Sequence, residues 1–395
     1  MEKKFELIKY MTKEINGRTL FRIRALSSFN DVHKGDLGGW IEEEENLRHE
    51  GNAWVYDNAT VYDKAIIYDN AQISNNATVS NQASVSGNAK VYGEAEIFNS
   101  VRIYGNAKVY DNAKVHYNVE LYDNTEIFGN AKIFGNEVNQ YGQIIKLYGN
   151  ARIHGNTEIL YAEGNISSKL SIYDNAEIFG NVSIKIGEDI KIYGETKISG
   201  NASINGKLEL YGNAQIYGEA KISPYSNSNS NSNSNSNSNS NSNSNSNSNN
   251  LVKIFGYAKI HDKAVINDNS KIFDHARIYG SAQVKGNAQI LGHAEIYGDA
   301  YIAGDTEVSG NTRILGDAQL TKISEYFIIN HIGPKDEMLI AFKQKDNSIM
   351  VSHGDFNGVI EAFEYIIKER HKEGKFRDVY LNQIETIKKQ LSEPK

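Results

Sequence analysis

The segment AWVYDNATVYDKAIIYDNAQISNNATVSNQASVSGNAKVY, residues 53–92, repeats a unit of six residues. Each unit has alanine, a variable residue, a branched aliphatic residue, often a tyrosine, and a closing pair that contains Gly, Asp or Asn. The alanine and the aliphatic residue are two positions apart, so they lie on the same face of a strand. Because Gly, Asp and Asn tolerate positive φ angles, the closing pair predicts a tight turn. Each hexapeptide therefore predicts a short strand followed by a corner.

The charged residues determine how many hexapeptides form one coil. The residue before each aliphatic residue should point outward and contact its equivalent on the next coil. At a separation of 18 residues, Arg102 meets Glu120 and Lys108 meets Glu126, and opposite charges are the favourable cross-strand arrangement. Three hexapeptides therefore make one coil of a three-sided parallel β-helix. The 38 hexapeptides of the chain predict twelve to thirteen coils of an all-β solenoid.

The insertions follow the same register. The aliphatic series breaks after Ile133 and resumes at Leu147, Ile172, Ile192, Leu210 and Ile254. Each of the first four resumptions gives three hexapeptides before the next break, and the last gives twelve, ending at Leu320. All insertions are therefore expected to leave from one corner of the prism. The last of them contains an alternating Ser-Asn tract with no apolar residue, so the insert 224–250 is predicted to be disordered.

Three regions are predicted from these patterns. Residues 1–50 form an N-terminal β cap with a strand at 19–26, residues 51–322 form the β-helix, and residues 323–395 form a small α+β domain. In the last region we expect strands at 326–332, 338–343 and 349–352, followed by two helices, the first with Asn357 as its N-cap. The second helix should bury Tyr380, Ile384, Ile387 and Leu391, which repeat at helical spacing.

Composition excludes several classes of function. The net charge is -7, which argues against a nucleic-acid partner. The chain has no cysteine, which excludes disulfides and thiolate metal sites and fits a reducing compartment. No run of 18 apolar residues occurs, so no membrane partner is expected. The sequence thus predicts a soluble, cytoplasmic protein.

Three N-terminal motifs carry a resemblance to a known group. The segments LFRIRAL (20–26), GDLGGWIEEEENL (35–47) and HEGNAWV (49–55), together with the C-terminal region, resemble bacterial and bacteriophage-associated hexapeptide-repeat proteins, often labelled as transferases or uncharacterised. The resemblance implies a left-handed β-helix. It also implies an alternative function, since acyltransferases of this fold generally use a histidine base and an acyl-CoA donor. No catalytic residue is carried over from the group.

The histidines give candidates for such a base. His116, His154 and His261 follow an aliphatic position and should point outward, and His154 lies nearest the insertion at 160–170. His154 is the weak catalytic candidate, because Tyr or Phe usually fills its slot and a simple surface substitution explains it better. His275 and His293 should stack at a turn, but two ligands without a third do not predict a metal site.

Aromatic residues give the candidate binding surface. At the insertion corner, the same outward slot holds an aromatic residue on eight successive coils. We call these residues the aromatic ladder: Tyr104, Tyr122, Tyr148, Tyr173, Tyr193, Tyr211, Phe255 and Phe273. Cross-strand packing alone explains such a row. A contiguous exposed aromatic stripe is also typical of a surface that binds another subunit, a protein partner or a carbohydrate. Serine is compatible with the slot, since Ser74, Ser80 and Ser86 fill all three outward slots of one coil.

Two functions are compatible with these patterns. The leading hypothesis is a non-enzymatic β-helical scaffold or interaction protein, of a kind that phages and prophages encode, with no cofactor. The alternative is an acyltransferase that acts on a sugar or amino-sugar with acyl-CoA as donor.

Overall fold

The computed structural model describes residues 3–137, 144–162, 168–224, 250–322, 325–335, 337–370 and 374–392. The chain divides into two compact units, Met1–Ile204 and Asn205–Lys395. The predicted Ser-Asn insert lies outside the described residues, apart from its ends at Pro224 and Asn250. In the part of the chain that is described, no helix is both long and apolar enough to cross a membrane.

The short strands of the first unit form a parallel β-solenoid with three faces, each a separate sheet. After the N-terminal strands, the first face contains Thr60–Val61, Thr78–Val79, Glu96–Phe98, Lys114–His116, Lys132–Phe134, Glu158–Tyr161 and Ser183–Ile186. The second face contains Trp54–Val55, Gln72–Ile73, Lys90–Val91, Lys108–Val109, Glu126–Ile127, Arg152–Ile153, Glu177–Ile178 and Lys197–Ile198. The third face contains Ile66–Ile67, Ser84–Val85, Arg102–Ile103, Val119–Leu121, Ile145–Leu147, Leu170–Ile172 and Ile190–Ile192.

The solenoid strands of the second unit have the same three-face arrangement. Its first face contains Lys221–Ser223, Val265–Asn267, Gln283–Val284, Tyr301–Ile302 and Gln319–Leu320. Its second face contains Gln215–Ile216, Lys259–Ile260, Arg277–Ile278, Glu295–Ile296 and Arg313–Ile314. Its third face contains Leu208–Leu210, Val252–Ile254, Lys271–Ile272, Gln289–Ile290 and Glu307–Val308. The strand Ser203–Asn205 spans the boundary between the units.

The predicted coil register is confirmed. Arg102 pairs with Glu120 in neighbouring strands, and their side chains form an ion pair with an N–O distance of 3.1 Å. In each unit the long insertions connect a strand of the first face to a strand of the third face, as between Lys132–Phe134 and Ile145–Leu147 or between Lys221–Ser223 and Val252–Ile254. All of them leave the solenoid at the edge between these two faces, as the spacing predicts.

Small and large apolar side chains fill the interior of the coils. Ala59 and Val61 are fully buried, like their equivalents along the repeat. The corners turn where the first residue of the closing pair adopts a positive φ, which is 58° at Asp63 and 64° at Gly87. Period-two burial and left-handed turn residues together therefore make a coil from every three hexapeptides.

An antiparallel sheet covers the N-terminal end of the first coils. The strands Phe5–Ile15, Arg18–Ala25 and Leu37–Ile41 continue the first face, and Leu37–Ile41 pairs in parallel with Thr60–Val61. A short 3-10 helix follows at Glu44–Asn46. The Lys4 ammonium donates a hydrogen bond of 2.9 Å to the Ala53 carbonyl. The strands and this hydrogen bond pair backbone groups at the end of the solenoid, where an uncovered sheet edge would leave such groups unpaired.

A small α+β domain follows the last coil of the second unit. It has an antiparallel sheet of Tyr326–Ile332, Glu337–Lys343, Ile349–His353 and Phe356–Val359, and the helices Ile360–Arg370 and Lys375–Ser392. Asn357 lies in the fourth strand, so the prediction that it caps a helix was wrong. The predicted helix face is confirmed, since Tyr380, Ile384, Ile387 and Leu391 are buried in the core of this domain.

Candidate functional site

The aromatic ladder of the first unit is a row of parallel tyrosine rings on the third face. The ring centroids of Tyr104 and Tyr122 are 5.0 Å apart, and those of Tyr148 and Tyr173 are 4.7 Å apart. All four neighbouring pairs from Tyr104 to Tyr193 are within 3° of parallel. The row arises because the parallel strands place the same slot of each coil one strand spacing apart.

The second unit has three members of the ladder. Phe255 stacks between Tyr211 and Phe273, with a centroid distance of 4.8 Å to each. The rings are within 4° of parallel. Both units therefore have the stacked geometry that the sequence predicts for this slot.

The rings of the ladder are less exposed than the sequence suggests. Tyr104 at the end of the row is 37% exposed, whereas Tyr122, Tyr148, Tyr173 and Tyr193 are half-buried. Each inner ring has both faces covered by its neighbours and presents its hydroxyl edge outward. Burial, and then the neighbouring tyrosines, raise the pKa of Tyr122 to about 12. The surface is thus a strip of ring edges and neutral phenol hydroxyls.

A second aromatic row occupies the second face and was not predicted as a row. Its members are Tyr92, Tyr110, Phe128, His154 and Phe179, with centroid distances of 4.5–5.2 Å. The same coil spacing that identified the ladder would have identified this row. Stacking is therefore a general property of the outward slot, and the third face of the first unit differs in having tyrosine at every position from Tyr104 to Tyr193.

His154 is a member of the second-face row. Its ring lies 4.5 Å from the Phe128 centroid and 5.2 Å from that of Phe179. Its Nε2 is 3.3 Å from Glu177 Oε1. Burial alone would raise the pKa of Glu177, but the hydrogen bond with His154 and the charge of Lys197 outweigh it and lower that pKa. The structure thus gives His154 both an aromatic packing role and a carboxylate partner.

The other histidine candidates are also ring members. His116 stacks between Phe98 and Phe134 on the first face, at 4.6 and 4.5 Å. Its Nε2 is buried without a hydrogen-bond partner in the described residues, and burial lowers its pKa to about 4. His261 stacks between Tyr217 and Tyr279. The position of His116 favours a neutral, structural ring over a solvent-accessible base.

His275 and His293 stack as the sequence predicts, with a centroid distance of 4.7 Å. Tyr257 extends their row at 4.9 Å from His275. Among the described residues no three His, Cys, Asp or Glu side chains are grouped so that they could hold a metal ion.

Comparison with known proteins identifies the repeat. Residues 53–69 and 71–87 match the family described as YdcK Beta solenoid repeat. A stretch of 38 residues, 10% of this chain, is 55% identical to a protein of Escherichia coli (strain K12) named "Uncharacterized acetyltransferase YdcK". The match spans only 12% of the length of that curated relative. The chain is thus a hexapeptide-repeat β-solenoid protein in which two segments match the YdcK β-solenoid repeat.

Proposed function

We propose that this protein is a non-enzymatic β-solenoid interaction protein that uses the aromatic ladder of the third face as its binding surface. The observation that carries the proposal is the uninterrupted row of five parallel tyrosines from Tyr104 to Tyr193, with centroid distances of 4.7–5.0 Å. A reducing, cytoplasmic location stays the prediction from the cysteine-free sequence.

The rigidity of the row favours binding. Each inner tyrosine is held between two neighbours, so little side-chain entropy is lost when a partner covers its edge. Tyrosine is enriched at protein interfaces because it combines a large apolar ring with a polar hydroxyl. The row therefore offers both apolar contact and a line of hydrogen-bonding groups along one face.

A second copy of this chain is the partner that we propose first. A flat strip of identical rings is self-complementary, since two strips can pack against each other around a twofold axis. Charged residues of alternating sign stand beside the row, with Glu120 within 3.1 Å of Arg102 and 3.4 Å of Lys146. Such a surface can satisfy its own charges in a paired arrangement. Another protein or a carbohydrate is the alternative occupant.

The test replaces three consecutive rings of the row. The variant Tyr148→Ser, Tyr173→Ser and Tyr193→Ser should abolish concentration-dependent association in sedimentation velocity. The matched control replaces three consecutive rings of the second-face row, with Tyr92→Ser, Tyr110→Ser and Phe128→Ser. Both variants lose similar stacking, so each should lower the free energy of unfolding by about 1–2 kcal/mol.

Only the third-face variant should lose association. If both variants lose stability equally and neither changes association, the ladder is structural and the proposal fails. Loss of association in the second-face control would also contradict it, because that result would assign the contact to another face.

An acyltransferase acting on a sugar or amino-sugar is the second candidate. The observation that favours it is the contact between His154 Nε2 and Glu177 Oε1 at 3.3 Å, since a carboxylate commonly orients a histidine base. The name of the matched relative points to the same chemistry. Acyl-CoA would be the donor. In this candidate His154 would accept a proton from the sugar hydroxyl or amine that attacks the thioester carbonyl. The new C–O or C–N bond would form as the C–S bond breaks, and His154 would return the proton to the departing CoA thiolate.

A further inference from the structure

The row of rings on the third face has one gap. Tyr68 and Tyr104 occupy the outward slot two coils apart, and Ser86 occupies the slot between them. Neighbouring rings of the row are 4.7–5.0 Å apart. Two coils therefore separate Tyr68 from Tyr104 by about 10 Å, because the spacing of parallel strands is about 4.8 Å. This distance leaves room for one additional ring between them.

A groove occupies this gap. It has a volume of about 500 Å³ and is lined by Tyr68, Asp69, Ser84, Ser86, Arg102 and Tyr104. A second groove of about 470 Å³ shares Tyr68, Asp69 and Ser84 and extends toward Arg48 and Glu50. Two aromatic walls, a floor of small hydroxyl residues and a few charged groups are thus combined at one place on the surface.

The floor of the groove has a hydroxyl with unused bonding capacity. Ser86 is only 7% exposed, and it lines the groove. Its side-chain hydroxyl makes no hydrogen bond to any described residue. A hydroxyl both donates and accepts, so a ligand hydroxyl in the groove can bond to Ser86 without displacing another protein partner.

We propose that this groove binds a neutral pyranose ring, stacked between Tyr68 and Tyr104. The proposed specificity is for a sugar whose ring substituents are all equatorial. The site shares Tyr104 with the end of the aromatic ladder, but it does not include Tyr148, Tyr173 and Tyr193, which the association test replaces, so the two proposals can be tested separately.

The stacking chemistry selects this class of ligand. The two faces of an all-equatorial pyranose carry axial C–H groups, whose partial positive charge suits the negative faces of aromatic rings. Tyr104 has one face on Tyr122 and lines the groove from the neighbouring coil, and Tyr68 lines the groove as well. An axial hydroxyl would place a polar group against one of the rings and leave it without a hydrogen-bond partner. A gluco-configured ring therefore fits better than a galacto-configured ring.

The charged groups around the groove favour a neutral ligand. Asp69 already accepts a hydrogen bond from the Gly87 amide at 3.1 Å, and Arg102 pairs with Glu120 at 3.1 Å. The guanidinium that lines the groove is thus already paired with a carboxylate, so an anionic ligand gains no net attraction from it. Equatorial hydroxyls at the ring edge can both donate to Asp69 and accept from Arg102, whereas the ring of a phenylalanine side chain can do neither.

The test uses methyl β-D-glucopyranoside as the probe and follows it by saturation-transfer NMR with the full chain. The key variant is Ser86→Tyr, which fills the gap with the ring that the neighbouring coils carry. Its matched control is Ser74→Tyr, which makes the same change in the corresponding gap of the second face, between Tyr56 and Tyr92. That gap differs because the Tyr56 hydroxyl already donates a hydrogen bond of 2.8 Å to Asp31. A third variant, Tyr104→Ala, removes one wall.

The wild type and Ser74→Tyr should bind the glucoside equally. Ser86→Tyr should abolish binding, and Tyr104→Ala should weaken it about tenfold, as the loss of one ring contact would give. Methyl β-D-galactopyranoside should bind about tenfold more weakly than the glucoside.

Several results would overturn the proposal. It fails if the wild type shows no saturation transfer to the glucoside, if Ser86→Tyr binds as well as the wild type, or if the galactoside binds equally. Circular dichroism of each variant shows whether the fold is retained. If Ser86→Tyr does not fold, the Tyr104→Ala variant decides instead, and undiminished binding by that variant contradicts the proposal. Loss of sugar binding with intact association separates this site from the interaction surface.

Discussion

At the scale of single residues, the slot within the repeat determines what a side chain does. The sequence predicts only that three histidines point outward: His116, His154 and His261. In the structure each of them is one ring of an aromatic row. The signal was present, since Phe98, His116 and Phe134 are separated by one coil each. The contact of His154 with Glu177 was harder to predict, because it depends on the side-chain direction at neighbouring slots.

His116 is expected to make stability depend on pH. Burial lowers its pKa from 6.5 to about 4 in the folded chain. Above pH 6.5 the ring is neutral in both states. Between about pH 6.5 and about pH 4 the unfolded chain binds the proton first, so the free energy of unfolding falls as the pH is lowered. This contribution should disappear in His116→Phe, which keeps a ring between Phe98 and Phe134.

Urea unfolding of both proteins at about pH 7 and about pH 5 checks this expectation. The wild type should lose more stability than His116→Phe between the two values. Other titrating groups are common to both proteins and cancel in the comparison. An equal loss in the two proteins, or an NMR titration of His116 near its ordinary pKa of 6.5, would show that the ring is solvated.

At the scale of elements, the repeated strands were predictable and the caps were less so. Short-range periodicity fixes the hexapeptide strands, and the charge pairs fix their register, so both could be predicted. The strands Phe5–Ile15 and Phe356–Val359 were missed because nothing in their own sequence repeats. Their pairing depends on neighbours that are distant from the hexapeptide pattern. Asn357 was misassigned for the same reason.

The glycine pair at the entry to the first coil should be intolerant of side chains. A Cβ at Gly39 would lie 2.6 Å from the Ala59 carbonyl oxygen and 2.6 Å from Val55 Cγ1. Gly39→Ala should therefore destabilise the fold by about 1–3 kcal/mol through overpacking. The change would be measured as a lower urea midpoint.

Gly17 provides the matched control. It has a φ of +77° and no atom within 4 Å of an added Cβ. Gly17→Asn should be tolerated, because asparagine adopts positive φ more readily than other residues with side chains. If Gly39→Ala unfolds at the same urea concentration as the wild type, that result would contradict the close packing of Leu37–Ile41 against the coil below.

At the scale of the whole molecule, architecture could be predicted from the sequence but function only in outline. The three-face arrangement, the edge that carries the insertions and the aromatic ladder all follow from one spacing of 18 residues. The groove at Ser86 was not predicted. The groove lies where a serine interrupts the row of rings, and the ligand that it can bind depends on which rings lie on either side of it in the structure. The choice between binding and catalysis depends on pockets and partners, which the repeat does not specify.

A calorimetric titration with acetyl-CoA tests most directly the claim that this solenoid binds rather than catalyses. It compares the wild type with His154→Phe, which keeps the second-face row intact. The account predicts no saturable heat with either protein and no release of free CoA when an amino-sugar is added. Saturable binding of acetyl-CoA by the wild type, with amino-sugar-dependent CoA release that His154→Phe loses, would contradict it and establish the acyltransferase.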